Sequence, residues 1–152
     1  MITIRWNSLD DTQKFAKLLA EYFFEGFLIL ASGDLGAGKT QFAKFLAMEL
    51  GIKDNVTSPT FNILKCYNGK KYDFYHIDAY ILEGLKKDLG LEEFIEGDGV
   101  CFIEWSQYLS YLLPEQFLKI NITISDSNSR IIQIEGQGDK YTQIEKEIER
   151  LW

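Results

Sequence analysis

The sequence is short of arginine, histidine and cysteine, and each shortage argues against a class of function. Its 152 residues carry a formal net charge of −7, and the only arginines are Arg5, Arg130 and Arg150. A broad nucleic-acid-binding face needs clustered cations that release counterions from phosphates. We therefore expect no direct nucleic-acid binding by the chain alone, so that any role near RNA runs through another protein.

The few thiols and the single histidine also limit metal and redox chemistry. Cys66 and Cys101 stand far apart, and one histidine cannot build a zinc site without many other ligands. No charged-then-apolar signal pattern begins the chain, and no apolar run approaches the ~20 residues that a membrane span needs. We expect a cytoplasmic protein with reduced thiols, no membrane contact and a monomeric state on its own.

The most specific pattern in the chain is the segment from Gly33 to Thr40, Gly-Asp-Leu-Gly-Ala-Gly-Lys-Thr. It fits the P-loop pattern of a glycine, four free positions and then Gly-Lys-Ser/Thr. The apolar run 27–31 predicts a buried strand before it, and 41–50 predicts a helix that ends at Gly51 in a left-handed cap. The alternative is a glycine-rich turn without a ligand. Strand, loop and helix are the context that the motif requires, so the pattern predicts a nucleoside triphosphate site.

In such a loop, consecutive backbone N–H groups surround the phosphates at the positive end of a helix. Lys39 is expected to reach the outer phosphates and Thr40 to bind magnesium. The residues of this segment that we expect to bind the nucleotide are Gly33, Asp34, Leu35, Gly36, Ala37, Gly38, Lys39, Thr40 and Gln41.

Two carboxylates follow apolar runs that predict buried strands. Asp78 comes at the end of one such run, and Glu104 ends Val100 to Glu104 in the manner of a Walker B strand. Ligands of α/β proteins bind at the carboxyl ends of strands, and a buried carboxylate is costly unless it pairs with metal or water. We expect both to be catalytic, although Asp78 could also be a strand-end cap. The sequence leaves open which of them orders magnesium and which orders the attacking water. It also leaves open whether His76 supports the site or is a structural histidine.

Periodicity and turn signals predict the rest of the fold. Asn68-Gly69 favours a tight hairpin, which mixes antiparallel strands into the sheet. The predicted elements are an edge strand over 1–6, a helix from Ser8 to near Gly26, hairpin strands over 61–67 and 71–77, short helices over 82–95 and 106–113, a second hairpin over 118–124 and 130–135, and a closing helix over about 139–152. The predicted class is α/β, one P-loop NTPase-like domain over 1–152 with a mixed β-sheet, a parallel core with antiparallel hairpins, flanked by helices.

Four segments together resemble one family. They are the P-loop, Ser58-Pro59-Thr60-Phe61, His76-Ile77-Asp78-Ala79-Tyr80 and Ile103-Glu104-Trp105, in the order and at about the spacing of the TsaE (YjeE) family. The resemblance covers roughly 8–135 and leaves the last helix as a peripheral addition. It implies a slow P-loop ATPase that uses ATP and Mg²⁺. It also implies a requirement for the threonylcarbamoyladenosine modification of tRNA, at the adenosine next to the anticodon, together with the partners TsaB and TsaD.

The resemblance also implies roles for single residues. Thr40 and Glu104 would form the magnesium shell, Asp78 would be the second essential carboxylate, and Thr60 would sense the outer phosphate from a switch-like loop. Trp105 would line the nucleotide pocket. From the residues alone, Thr60 could also be a turn hydroxyl. Trp105 could also be an aromatic residue at the edge of the core.

One position departs from the family pattern. Family members commonly carry arginine after the Asp-x-Tyr segment, where this chain has Ile81. If that arginine contacts a partner or a phosphate, its role is missing here or passes to Lys86 or Lys87. With no arginine finger near the motifs, hydrolysis by the isolated protein should be slow.

Two other functions compete with an ATPase. A small-metabolite or nucleoside kinase also fits a P-loop in a chain of this length, but such kinases hold two phosphates with several arginines. A nucleotide-dependent binding module would use ATP only to set a loop conformation, without required turnover.

Overall fold

The computed structural model describes residues 1–85 and 89–152, and its centre is a seven-stranded mixed sheet. The strands are β1 (Ile2–Trp6), β2 (Leu28–Ser32), β3 (Leu64–Tyr67), β4 (Phe74–Asp78), β5 (Val100–Glu104), β6 (Phe117–Ile124) and β7 (Arg130–Gln137). The α-helices are α1 (Leu9–Ala20), α2 (Lys39–Glu49), α3 (Glu92–Ile95) and α4 (Asp139–Leu151), and 3₁₀ turns span Tyr80–Leu82 and Ser106–Leu112.

The strand order is β1-β7-β6-β2-β5-β4-β3. β2 lies between β5 and β6 and runs parallel to both, and β4 runs parallel to β5. The pairs β3–β4, β6–β7 and β1–β7 are antiparallel. This arrangement confirms the predicted fold class, a parallel core flanked by antiparallel hairpins, and it brings the carboxyl ends of β2, β4 and β5 to one edge.

Alternation along the central strands builds a hydrophobic layer on each face of the sheet. On β2, Ile29 and Ala31 join the larger core, which includes Phe15 of α1 and Phe42 of α2, whereas Leu28 faces the smaller core on the other side. Successive side chains of a strand point to opposite faces, so a strand covered on both sides must be apolar throughout. This requirement explains why β2 and β5 read as unbroken apolar runs.

The closing helix packs into the larger core. Tyr141, Ile144 and Ile148 are buried there, while Leu151 is exposed. The Tyr141 hydroxyl accepts a hydrogen bond of 2.9 Å from the buried backbone N–H of Leu28. Burial raises the pKa of Tyr141, so this hydroxyl stays neutral.

Helix α1 is shorter than its apolar stripe predicted. It ends at Ala20 rather than near Gly26, because the chain tightens into turns in which the N–H of Tyr22 bonds to Leu19 and that of Phe23 to Ala20. The Phe23 ring then packs 4.9 Å from Phe27 instead of extending the helical stripe. The turn therefore delivers the chain directly into β2.

The hairpin predicted around Asn68-Gly69 is confirmed, because β3 and β4 pair antiparallel, but its connection is longer than predicted. Tyr67 pairs with Phe74, so the loop spans the six residues 68–73, and β3 begins only at Leu64. The N–H of Gly69 bonds to the Asp73 carboxylate, and the N–H of Lys70 bonds to the carbonyl of Leu50 at the end of α2. These contacts with another element override the local turn preference.

The remaining short elements follow the prediction in outline. The segment predicted as helical over 82–95 contains α3, and the one over 106–113 is the 3₁₀ turn Ser106–Leu112. Lys86 and Lys87 lie outside the described residues. Within the described ranges, no helix is long and apolar enough to cross a membrane.

The hydroxyl of Tyr141 gives a stability test of the closing helix. We expect Tyr141→Phe to lower the free energy of unfolding by about 1–3 kcal/mol, because it leaves the buried N–H of Leu28 without an acceptor. Urea denaturation measures the difference. The control is Tyr72→Phe, since the Tyr72 hydroxyl makes no hydrogen bond within the described part of the chain. Equal stability of the two variants would contradict a structural role for this hydrogen bond.

Candidate functional site

The segment 33–40, here called the glycine loop, joins the carboxyl end of β2 to the N-terminus of α2. Gly33 packs so closely that a Cβ atom there would lie 2.5 Å from the carbonyl oxygen of Ile122. Gly38 has a φ of 113°, a left-handed conformation that favours glycine, and a Cβ there would meet nothing within 4 Å. The loop therefore needs glycine for packing at its start, while its backbone lies open to a cavity at its end.

That opening is a cavity of about 610 Å³, here called the carboxylate cavity. It lies at the carboxyl edge of β4 and β5 and at the N-terminus of α2. The sequence-predicted residues that line it are Asp34, Leu35, Gly36, Gly38, Lys39, Thr40, Gln41, Thr60, Asp78, Glu104 and Trp105. Of the other predicted binding residues, Gly33 packs behind the loop and Ala37 lines a second cavity.

Lys39 is the buried cation of this cavity. Its ammonium donates a hydrogen bond of 2.6 Å to the carbonyl of Gly33 and lies 3.8 Å from Glu104 Oε1. It also lies 4.9 Å from the centre of the Trp105 ring, where the face of an indole attracts a cation. A buried charge is costly unless it is paired and hydrogen-bonded, and these three neighbours compensate the ammonium.

Two carboxylates stand side by side at this edge. Asp78 and Glu104 are register partners on the parallel strands β4 and β5, and both are buried. Like charges directly opposite each other on neighbouring strands repel. Each carboxylate interacts with its own set of hydrogen-bond donors. Asp78 accepts from the Thr60 hydroxyl at 3.0 Å and from the N–H of Tyr80 at 2.9 Å, whereas Glu104 lies beside His76 and Lys39.

The loop that carries Thr60 is fixed to Asp78 at two points. Besides the Thr60 hydroxyl bond to its carboxylate, the N–H of Asp78 donates to the carbonyl of Ile63 at 2.8 Å. The Ser58 and Thr60 hydroxyls lie 2.7 Å apart. Phe61, between these attachments, is 92% exposed. Asp78 therefore anchors the segment that carries this exposed apolar side chain.

Trp105 turns the chain out of β5 and covers part of the cavity. It has a φ of 60°, in the left-handed region that bulky residues seldom adopt. Its ring contacts Tyr80 edge-on at 5.0 Å and stacks on Tyr108 at 6.1 Å. Loss of solvation and the Glu83 carboxylate raise the pKa of Tyr108, so its hydroxyl stays protonated beside the cavity.

A second cavity of about 490 Å³, here called the Trp6 cavity, lies on the other side of the glycine loop. Its walls come from the start of α1, the loop and the β6–β7 turn, and Gly38 and Gln41 border both cavities. Arg130 reaches it from β7, and its Nε donates 2.8 Å to the carbonyl of Ala37 in the glycine loop. Sequence reasoning missed Trp6 and Arg130 as site residues, because only the antiparallel pairing of β1, β6 and β7 brings them here.

Within the described ranges, no group of three or more histidine, cysteine or acidic side chains is placed to hold a metal ion. A cation in the carboxylate cavity would therefore have few protein ligands, here Thr40 and Glu104. Ile81, where the resemblance led us to expect arginine, is exposed and does not line this cavity.

Comparisons with known proteins agree with the geometry. The family model described as threonylcarbamoyl adenosine biosynthesis protein TsaE matches residues 6–132. The tRNA threonylcarbamoyladenosine biosynthesis protein TsaE of Bacillus subtilis is 38% identical in an alignment 152 residues long. The alignment covers 99% of this chain and 96% of that protein. The protein of the same description from Treponema pallidum is 37% identical and covers 84% of this chain and 95% of its own length.

Among solved structures, the crystal structure of Bacillus subtilis YdiB superposes with a TM-score of 0.82 at 34% identity. The match covers 98% of this chain and 94% of that one, so it includes α4, which lies beyond the range of the family model. On this family match and these relatives, the chain belongs to the TsaE family of tRNA threonylcarbamoyladenosine biosynthesis proteins.

Proposed function

We propose that this cytoplasmic protein binds ATP with Mg²⁺ and hydrolyses it slowly, and that it does so in tRNA threonylcarbamoyladenosine biosynthesis together with TsaB and TsaD. The observation that carries the proposal is the convergence of Lys39, Thr40, Asp78 and Glu104 on one cavity at the N-terminus of α2. Family membership supplies the pathway, whereas the chemistry is inferred from these side chains.

The phosphates would lie along the glycine loop. The first N–H groups of a helix have no partner within the helix, and together with the helix dipole they attract anions. A Cβ on Gly36 or Gly38 would contact nothing within 4 Å, so the backbone there is open to a ligand. A phosphate oxygen would replace the Gly33 carbonyl as the acceptor for Lys39, and this change frees the ammonium to follow the outer phosphate.

The adenosine would occupy the Trp6 cavity. Because Gly38 and Gln41 border both cavities, a nucleotide that follows the loop passes from one to the other. The Trp6 cavity has Trp6 at its base, although only 1% of that residue is exposed, and a guanidinium fixed by its bond to Ala37. A concave pocket with a few fixed polar groups is typical of ligand sites.

The donor set fits magnesium. Mg²⁺ prefers hard oxygen ligands and is usually held by one or two protein oxygens, substrate phosphates and water. Thr40 Oγ1 and Glu104 Oε1 are such oxygens on the wall of one cavity. When bound, the ion would neutralise charge on the outer phosphates.

Hydrolysis would be an in-line attack of water on the γ-phosphorus, with ADP as the leaving group and phosphate as the second product. Lys39 and the loop amides stabilise the charge that spreads over the phosphoryl oxygens. Asp78, whose oxygens already accept two hydrogen bonds, holds Thr60 and its loop over the phosphate end.

Slow turnover follows from the positions of the arginines. All three lie within the described ranges, and none lines the carboxylate cavity. Arg5 and Arg150 are bonded to acidic and polar side chains at the surface, and Arg130 is bonded to the backbone of the glycine loop and the β6–β7 turn. Since an arginine finger contributes ~10³ to 10⁵ in rate, a partner protein has to supply that charge.

The structure gives a kinase no specific support, because phosphoryl transfer to an acceptor needs further cations and the described part of this cavity contains Lys39 alone. A binding module without turnover is separated from an ATPase by experiment. If a Glu104 variant that binds ATP but does not hydrolyse it restored the tRNA modification in a bacterium depleted of its own family member, turnover would be dispensable.

Lys39→Met tests nucleotide binding. We expect the affinity for ADP–Mg²⁺ to fall about 10- to 150-fold, since a hydrogen bond to a charged group contributes about 1.5–3 kcal/mol. Isothermal titration calorimetry measures the dissociation constant. Lys44→Met on the same helix is the matched control, because Lys44 does not line the cavity. Unchanged affinity of Lys39→Met would contradict the phosphate site.

Variants of the two carboxylates test their separate roles. We expect Glu104→Ala to abolish the dependence of ADP affinity on Mg²⁺, because Glu104 Oε1 is the carboxylate oxygen that faces Lys39 and the cavity. Asp78→Ala should retain that dependence and lose ATP turnover by about 10²-fold or more, because the Thr60 loop is released. Titrations with and without Mg²⁺ and phosphate-release assays measure both effects. The reverse assignment of the two phenotypes would show that the roles are exchanged.

Partner dependence tests the assignment to the pathway. We expect ATP turnover by the isolated protein to be slow and to rise when TsaB and TsaD are added together, because the site contains no arginine of its own within the described residues. Steady-state phosphate release is the measurement, with Lys39→Met as the inactive control. Fast hydrolysis by the isolated chain that does not respond to the two proteins would count against this function.

A further inference from the structure

The only histidine of the chain is buried against the site and contacts Glu104. His76 lies on β4 with its Nε2 2.6 Å from Glu104 Oε2, and its ring is fully buried. Phe102 meets the ring edge-on at 5.2 Å. We propose that His76 is a positioning residue, whose Nε2–H holds one oxygen of Glu104 and thereby directs the other oxygen toward Lys39 and the carboxylate cavity. The consequence for catalysis rests on the proposed function.

The surroundings of the ring decide which nitrogen carries the proton. Nδ1 of His76 is buried and has no hydrogen-bond partner within the described part of the chain. A proton on Nδ1 would be a buried donor without an acceptor, whereas Nε2 faces the carboxylate of Glu104. Nε2 is therefore the nitrogen whose N–H donates to Glu104.

Strand register explains why Glu104 needs such a donor. Its register partner is Asp78, whereas His76 is paired with Phe102, so the contact with His76 is diagonal. The Glu104 side chain turns back along the sheet, away from the Asp78 carboxylate, and ends between His76 and Lys39. The histidine fills the position that keeps the two carboxylates apart.

The alternative position of Glu104 would damage the site. Lys39 Nζ lies 3.8 Å from Oε1, beyond hydrogen-bond distance. Without the His76 donor, the carboxylate can turn and form a direct ion pair with this ammonium, because a buried carboxylate seeks a donor. An ammonium has three donors and would still reach the phosphates, whereas the oxygen that faces a cation would be lost. His76 thus affects the chemical step without touching the substrate.

Nuclear magnetic resonance tests the proton position directly in the nucleotide-free protein. Because the chain has one histidine, long-range ¹H–¹⁵N correlations of the imidazole need no assignment. We expect a proton on Nε2. The imidazole signals should change in Glu104→Ala and stay unchanged in Asp78→Asn, because the Asp78 carboxylate bonds to Thr60 and Tyr80 instead. An unprotonated Nε2, or imidazole signals that do not respond to Glu104→Ala, would overturn the proposal.

Two amide variants test the consequence for catalysis. The amide nitrogen of glutamine can take the place of Nε2, whereas that of asparagine takes the place of Nδ1 and falls short of Glu104. We expect His76→Asn to lower ATP turnover about 10- to 100-fold and to weaken the effect of Mg²⁺ on ADP affinity, with little change in ADP affinity when Mg²⁺ is absent. His76→Gln should restore a large part of both. Thermal denaturation checks that both variants are folded.

The outcomes of the two experiments are distinguishable. Equal turnover in His76→Asn and the wild-type protein would overturn the positioning role. An ADP affinity that falls equally with and without Mg²⁺ would also overturn it, because that result indicates a merely structural role. If the unchanged protein bound and hydrolysed no ATP, the proposed function would fail. The resonance experiment would still decide whether His76 holds Glu104, because it needs neither nucleotide nor turnover.

Discussion

Two carboxylates that stand opposite each other on neighbouring parallel strands repel, and the rest of the site depends on how this repulsion is relieved. The register of β4 and β5 places Asp78 beside Glu104 at the edge where β2 delivers the glycine loop. Each carboxylate has separate donors, Asp78 from the Thr60 loop and Glu104 from His76 and Lys39. The Asp78 carboxylate therefore fixes a surface loop, and the Glu104 carboxylate faces the buried ammonium of Lys39.

Under the proposed function, this division links the nucleotide to the surface. A phosphate that takes Lys39 from the Gly33 carbonyl would change the charge next to Glu104 and Trp105. Asp78, the register partner of Glu104, holds Thr60, and the next residue along the chain is Phe61, almost fully exposed. The segment 58–63 is therefore the part of the surface that a change of nucleotide state would alter.

The sequence predicts the centre of this fold better than its edges, for physical reasons. The apolar runs of β2 and β5 are buried on both faces, and the glycine pattern between β2 and α2 is local, so both can be read from neighbouring residues. The loop at Asn68-Gly69 is longer than predicted because Gly69 and Lys70 bond to Asp73 and Leu50. A local turn preference takes no account of these contacts. A strong local sequence preference predicts an element only where no contact with a distant segment competes with it.

The parts of the site that sequence reasoning missed are those assembled from distant segments. Arg130 meets Ala37 only because β6 and β7 pair beside β2, and the hydrogen bond between His76 and Glu104 spans 28 positions and depends on the strand register. No local pattern marks either contact.

The central claim is that a nucleotide lies along the glycine loop, with its phosphates in the carboxylate cavity and its base in the Trp6 cavity. A crystal structure with a non-hydrolysable ATP analogue and Mg²⁺ tests it most directly. The account predicts Lys39 Nζ on a phosphate oxygen instead of on the Gly33 carbonyl, the ion beside Thr40, and the adenine in the Trp6 cavity beside Arg130. An analogue bound elsewhere, or one bound while Lys39 remains on Gly33, would contradict it.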